Sequence, residues 1–350
     1  MINKVKFCSI KPAFSGVTTA IVFETSALFV PYLSVALQSL LECSSKENFY
    51  DIIILSNEIE EYDKNLLGNL TIQQENISIR FCDPTEIVEK YIKNSKYQYL
   101  NLNYYRLALP WILLNYDKAL NLGADIIIEK DICELINTYM DKDKYIAGVI
   151  DLGYHGRLNM DIPREELNMA DPYDYINADV ILLNLEKIRN DFKQDDIMLF
   201  WQKRKLRCAE QDAFNVLFDG HIQHLCLNWN LFPERMSSTE HILNAPESSV
   251  NLWKKAITTP YIIHYAAFPK PWDYPMIGYG YRWWEYARKS PYYEEVVRRM
   301  CIIAARNERV GILHRVIDLL LPRGTTRRDV IKKLLSKSSK IRDLAYKIYH

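Results

Sequence analysis

Short apolar runs alternate, along the first third of the chain, with stretches whose apolar residues recur every three or four positions. Thr18 to Glu24 (TTAIVFE), Tyr50 to Leu55 (YDIIIL) and Ile77 to Cys82 (ISIRFC) have the length and β-branched content of buried strands. Phe29 to Leu41, Ile59 to Leu70 and Pro84 to Ile92 carry apolar residues at helical spacing. Strand and helix in strict succession predict a parallel, doubly wound sheet, so this part reads as a Rossmann-like half domain. No G-x-G-x-x-G turn follows the first strand, which leaves a dinucleotide without support.

The pattern continues with Tyr104 to Leu114 (YYRLALPWILL), a predicted helix whose single charge is Arg106. Next, apolar residues lead up to Gly123-Ala124-Asp125 and a β-branched run leaves it, as a buried strand would that delivers a carboxylate to its end. Lys144 to Ile150 is another strand, and Asp151 repeats the arrangement. In open α/β sheets the ligand crevice lies outside the carboxyl ends of the strands, so Asp125 and Asp151 are candidate site residues. Each also fits a polar residue that merely closes a strand. Gly153 to Asp174 is polar and irregular, a candidate acceptor-side loop. Tyr175 to Leu185 resumes the strand pattern, and a helix runs through Lys187, Arg189 and Phe192 to Phe200.

Glu210-Gln211-Asp212 opens a helical pattern that ends at Phe218, and its acids also suit a helix first turn. His221 to Cys226 and Tyr261 to Tyr265 (YIIHY) read as strands. His264 sits at the end of the second, with Lys270 following near the same edge. A lone histidine there is commonly structural, but with a lysine it suits an anion carrying a metal.

Composition narrows the class. The chain has 350 residues with 49% apolar and 25% charged content, which suits a folded protein with one large core or two unequal ones. Lys+Arg and Asp+Glu balance at 44 each, so nothing marks the whole chain for nucleic acid. Seven scattered cysteines form no C-x-x-C pair, which predicts reduced, mostly buried thiols and a cytoplasmic setting. Neither a signal-peptide core nor 18 uninterrupted apolar residues is present, so the expected chain does not enter a membrane by itself. The tail is the exception. From Arg323 to His350 basic residues interleave with an apolar stripe, which predicts either attachment to an anionic membrane surface or a helix packed on its own domain.

Taken in order, five segments resemble glycosyltransferase family 8, the retaining nucleotide-sugar transferases of the glycogenin and lipooligosaccharide galactosyltransferase type. They are Tyr105-Arg106-Leu107; Lys118 to Leu135, matching a D-x-D and D-x-x-E-L element; Tyr175 to Leu185; Glu210-Gln211-Asp212; and His264 to Trp272, ending in Lys-Pro-Trp. The resemblance implies a single GT-A type, Rossmann-like α/β domain with a mostly parallel central sheet over 15–272. A helical, aromatic extension over 273–322 and the basic tail, 323–350, would follow. It also implies transfer of a hexose from a UDP-sugar to a surface glycan or lipid-linked acceptor, on the inner face of the plasma membrane if the tail binds there. By the same resemblance Asp125 and His264 are ligands of Mn2+ or Mg2+, and Arg106, Asp151, Gln211 and Asp212 serve catalysis. Phe29, Asn177, Asp179, Lys270 and Ala267 are donor contacts.

The chain departs from the family pattern at four places. Gly123 replaces the first Asp of D-x-D, which implies a cation site weakened by about 10- to 100-fold. Ser26-Ala27-Leu28-Phe29 replaces the Asp-Asp-x-Tyr that holds base and ribose; Phe29 can still stack. Asp179 and Ala267 replace glycines, and Asp179 either crowds the donor or supplies a substitute charge. An alternative expectation is therefore a catalytically impaired homologue that binds a glycan or a partner transferase.

Overall fold

The computed structural model describes residues 10–93, 101–156, 159–203, 206–234 and 237–305. Its strands are β1 (Thr19–Glu24), β2 (Tyr50–Leu55), β3 (Ile77–Cys82), β4 (Lys118–Leu122), β5 (Ile126–Ile128), β6 (Ile146–Ile150), β7 (Ile176–Asn184), β8 (Ile222–His224) and β9 (Ile262–His264). Seven of them form one sheet in the order β3-β2-β1-β4-β7-β6-β8, while β5 and β9 make a separate antiparallel ribbon. Within the seven-stranded sheet β7 alone is reversed. The sheet is thus mostly parallel, and the architecture is of the GT-A type.

Both faces of the sheet are covered, which is why its central strands are apolar at nearly every position. Ala20, Val22, Ile53 and Leu55 point to a layer containing Tyr104, Tyr105, Leu109 and Ile112. Ile21, Phe23, Ile52 and Ile54 point the other way, onto Leu33, Ala36, Leu37 and Leu40 of the helix Val30–Cys43. That helix starts with Pro31 in its first turn, where a missing N–H costs no hydrogen bond. On the same helix Tyr32 stacks on Trp272 at 4.0 Å, tying the segment after β9 to the first strand-helix unit.

Three predicted elements are divided. The run from Asp117 to Ile128 breaks at Gly123-Ala124-Asp125, so β4 stays in the main sheet and β5 leaves it to pair with β9. Tyr104 to Leu114 becomes Asn101–Leu107 and Leu109–Ile112, because Pro110 has no N–H to donate to the carbonyl of Arg106. The helix expected through Phe200 becomes Leu185–Asp191, capped by Asn184, and Gln194–Lys203. Within the irregular loop short 3-10 turns form at Leu152–Tyr154 and Pro172–Asp174, with a π turn at Ile162–Glu166.

Of the six described cysteines, all free, only Cys82 and Cys133 are buried; Cys43 and Cys208 are half-buried and Cys226 and Cys301 exposed. The expectation of mostly buried thiols does not hold, since several of these cysteines lie in turns and at element ends. No helix among the described residues is long and apolar enough to cross a membrane. The basic segment 323–350, with its expected membrane contact, lies outside the described residues. Among the described residues, those through Val296 form one compact unit, and 297–305 fall outside it.

Ala267 has φ of 58°, in the left-handed region that disfavours a Cβ. Replacing it with glycine should raise stability by about 1 kcal/mol, the lower end of the left-handed penalty. Urea unfolding of Ala267→Gly checks this; an unchanged midpoint would mean the local chain relaxes without strain.

Candidate functional site

Strands β1, β4 and β6 end at the same edge of the sheet, and reversed β7 begins there. Glu24 closes β1, Gly123 follows β4 and Asp151 follows β6, while Asn177 and Asp179 stand on the first residues of β7. The reversal is what brings β7 side chains to a crevice otherwise built from strand exits.

The ribbon supplies the other wall. Ile126 is in register with His264, and the N–H of Tyr265 donates to the Asp125 carbonyl at 2.9 Å. Asp125 and His264, 139 residues apart in the chain, are therefore neighbours: Asp125 Oδ1 is 3.6 Å from His264 Nε2. Lys270 Nζ donates to Asp125 Oδ2 and to the Tyr265 carbonyl, both at 2.6 Å. Burial would raise the Asp125 carboxyl, but the Lys270 ammonium and the His264 ring hold it well below the usual carboxylate range. For His264 burial acts downward, yet the adjacent Asp125 and Asp179 carboxylates bring its ring above the ordinary histidine value.

Beneath this wall Arg106, 9% exposed, is surrounded by acids. Its Nη1 donates to Asp179 Oδ1 at 3.1 Å, to Glu210 Oε1 at 3.0 Å and to the Ala178 carbonyl at 3.2 Å. Its Nη2 lies 3.5 Å from Glu24 Oε2, and Asn121 Nδ2 donates to both oxygens of Glu24. Asn103 donates to Glu210. Burial pushes Glu24 and Glu210 above the usual carboxylate range, with Arg106 working against it. An arginine cannot give up its charge here, so it fixes the positions of three carboxylates.

A chain of amides runs behind the crevice. Asp151 accepts from the Gly153 N–H at 3.0 Å, from Asn177 Nδ2 at 3.2 Å and from Gln211 Nε2 at 3.3 Å. Burial raises its carboxyl, and those donors restrain the rise. An ionised carboxylate only accepts, which sets the orientation of each amide in turn. With Nδ2 of Asn177 directed to Asp151, its Oδ1 accepts from Asn230 Nδ2 at 2.9 Å, and Asn230 Oδ1 is left facing His264 Nδ1 at 2.9 Å. His264 Nδ1 therefore carries a proton and donates to Asn230. Its Nε2 is buried, makes no hydrogen bond and points at the gap between Asp125 and Asp179.

Gln211 is held at both ends, with Oε1 accepting from Asn177 and from the Ala178 N–H and Nε2 donating to Asp151 and the Tyr175 hydroxyl. Asp212 is placed differently. It is fully buried, with its oxygens taken by the Tyr175 hydroxyl at 2.6 Å and by the Arg207 and Cys208 N–H groups. Phe29 is 40% exposed and edge-on to Trp272. At its turn the Ala27 N–H donates to Glu58 Oε2 at 3.3 Å, so a carboxylate from the β2 exit reaches the place where the turn itself has none. A cleft of about 770 Å³, lined by His155, Met160, Asp161, Arg164, Tyr173 and Pro246, opens beside the turn that Asp151 caps.

The structure thus gathers Arg106, Asp125, Asp151, Asn177, Asp179, Gln211, His264 and Lys270. It adds Glu24, Asn121 and Asn230, which local pattern did not single out, and Glu210, which the sequence placed in a helix first turn without a role in the site. Glu24 had a signal, being the acid at a strand exit like Asp125 and Asp151, and Glu210 stood first in its own triplet. Asn230 had none. Among the described residues no three His, Cys, Asp or Glu side chains form a preassembled metal cage; Lys270 holds one oxygen of Asp125, and Arg106 one of Asp179.

Comparison with known proteins gives the same architecture. A provisionally assigned glycosyltransferase of Haemophilus influenzae is 24% identical over 225 residues, 62% of this chain and 64% of its own length. The bifunctional glycosyltransferase WbbM is similar in structure, with a TM-score of 0.76 and 22% identity over 84% of this chain and 53% of that one. This chain thus spans about half to two thirds of the length of those two relatives. The galactosyltransferase LgtC, solved with donor and acceptor sugar analogues, gives a TM-score of 0.61 and 23% identity over 78% of this chain and 96% of its own. The model of glycosyl transferase family 8 matches residues 20–275, most of the chain, and the protein belongs to that family.

Proposed function

We propose that this protein is a retaining glycosyltransferase that moves a hexose from a UDP-sugar to a glycan or lipid-linked acceptor, with Mn2+ or Mg2+ as its cation. The observation that carries the reading is the bare Nε2 of His264, buried beside Asp125 in a crevice with more acids than cations. Among the described residues, Glu24, Asp125, Asp151, Asp179 and Glu210 face two permanent cations, Arg106 and Lys270. A divalent cation suits that surplus, and a buried imidazole nitrogen that faces two carboxylates without a hydrogen bond suits a ligand whose other nitrogen is fixed by a partner such as Asn230. Asp125 and His264 would hold the ion, which when bound would neutralise charge on the departing diphosphate.

The remaining roles belong to the chain itself. Lys270 lies close enough to the crevice wall to meet a diphosphate oxygen. Arg106 and Asp151 hold the donor sugar. Gln211, restrained by four hydrogen bonds, presents a fixed amide dipole where positive charge develops at the anomeric carbon, and its fixed position avoids reorganisation during the reaction. Because the oxygens of Asp212 are taken by the Tyr175 hydroxyl and by the Arg207 and Cys208 N–H groups, we assign it a positioning role. Phe29 stacks on the base, and Glu58 stands in for the acid that its turn lacks. The cleft lined by His155, Asp161, Arg164 and Tyr173 receives the acceptor.

Titration calorimetry with UDP-hexoses tests the reading. Binding should require Mn2+ and disappear in a chelator. Equal binding in chelator would remove the cation from the site. Absence of donor binding at millimolar Mn2+ would favour the impaired homologue, the reading to which Gly123 in place of an aspartate lends support.

A further inference from the structure

Register explains why Gly123 and Asp179 occur together. The β4–β7 ladder pairs Leu122 with Val180, and the N–H of Gly123 donates to the Asp179 carbonyl at 2.8 Å, so these two residues stand opposite each other one step further on. Directly opposed antiparallel residues have side chains on the same face, within contact distance. A Cβ on Gly123 would lie 3.2 Å from Asp179 Cβ, 3.3 Å from Asp179 Oδ1 and 3.0 Å from Asp125 Oδ1. The space that a side chain at 123 would take is therefore occupied by the carboxylate at 179. Two aspartates there would crowd and repel each other.

Each carboxylate near His264 is also divided in its duties. Asp125 gives Oδ2 to Lys270 and turns Oδ1 toward His264 Nε2 at 3.6 Å. Asp179 gives Oδ1 to Arg106 and turns Oδ2 toward the same nitrogen at 3.4 Å. Donors that share a cation at about 2.1 Å stand about 3.0 to 3.5 Å apart, close to these separations. The imidazole is 1% exposed, and its Nε2 has no hydrogen-bond partner.

We infer that Asp179 is a cation ligand, the carboxylate lost at position 123 having been replaced from across the ladder, so that Asp125, Asp179 and His264 together form the site. This rests on the cation-dependent reading above and deepens it. The departures at 123 and 179 become one reciprocal exchange, which keeps two carboxylates at the ion while the ligand arrives from β7 instead of the β4 exit. Asp179 also links the ion to Arg106, so the sugar-side cluster and the cation wall share one residue.

The test uses the full chain and Mn2+ alone, with free ion measured by electron paramagnetic resonance and folding monitored by circular dichroism. Asp179→Asn keeps an oxygen for Arg106 but removes the charge, and should weaken Mn2+ binding by about 10- to 100-fold, at least the scale of changes to groups around a metal. Asp125→Asn should lose a similar amount. The exchange variant Gly123→Asp/Asp179→Gly should recover most of the affinity that Asp179→Gly loses. If Asp179→Asn binds Mn2+ like the unaltered chain while Asp125→Asn does not, the inference fails and the cation reading survives. A folded exchange variant no tighter than Asp179→Gly also overturns it. Failure of the unaltered chain to bind Mn2+ would overturn both readings together.

Discussion

Replacing Asp125 with alanine should lower turnover by about 10²- to 10³-fold, the loss typical of removing one preorganised electrostatic group from an active site. The residue joins β4 to β5 and is the group through which both Lys270 and His264 reach the crevice. Without its carboxylate the ammonium and the imidazole face each other, and the proposed cation site loses a charged ligand. The fold should survive. The Asp125 carbonyl that accepts from Tyr265 belongs to the backbone, and Ile126, Ile127 and Ile128 remain fully buried. A stability loss of about 1 to 3 kcal/mol is expected, the range for hydrogen bonds to charged groups. Initial rates with the donor identified by calorimetry, together with a thermal melt, separate the two effects. Unchanged turnover in a folded Asp125→Ala protein would put the cation elsewhere.

The largest stability effect is expected at Arg106. In Arg106→Leu the carboxylates of Glu24, Asp179 and Glu210 lose their common partner while remaining inside the protein. Breaking a buried charge cluster from one side costs about 3 to 5 kcal/mol. The loss should depend on pH. Glu24 and Glu210 already have carboxyls raised by burial, with Arg106 opposing the rise, and removing the guanidinium raises them further. A carboxyl whose folded value lies above its unfolded value of 4.5 favours the folded chain below that value and loses this contribution as pH rises through the folded one. Arg106→Leu should therefore be nearest to the unaltered protein at about pH 5 and furthest from it at about pH 8. Denaturant unfolding at both values measures the difference, and an equal deficit at each would mean that the three acids escape to solvent in the variant.

The same cluster shows how far local pattern reaches. Asp125 and Asp151 were visible as acids at strand exits, since an apolar run that stops at a carboxylate is a short-range feature. Glu24 has the same feature and was equally legible. Asp179 lacks that feature and was singled out by the family resemblance alone, because it lies near the start of a strand, where a residue reaches the crevice only if the strand runs backwards. The direction of Asp212 was hidden for a different reason. Its neighbours Gln211 and Glu210 face the crevice, but one further step around the helix Ala209–Leu217 turns its carboxylate toward Tyr175 and the backbone of Arg207 and Cys208.

By itself, the order of apolar runs and helical stripes determined an α/β sheet, and five spaced motifs determined the family. Hydrophobic periodicity is set by neighbours two to four positions apart and survives in a linear reading. Which strand lies beside which, and in what direction, was decided only by the tertiary structure, because that choice depends on packing residues distant in the chain. The pairing of β4 with reversed β7 and of β5 with β9 brings 123 to 179 and 125 to 264. These contacts set the Asp179 carboxylate in the space opposite Gly123, a juxtaposition that residues 56 positions apart do not show in a linear sequence.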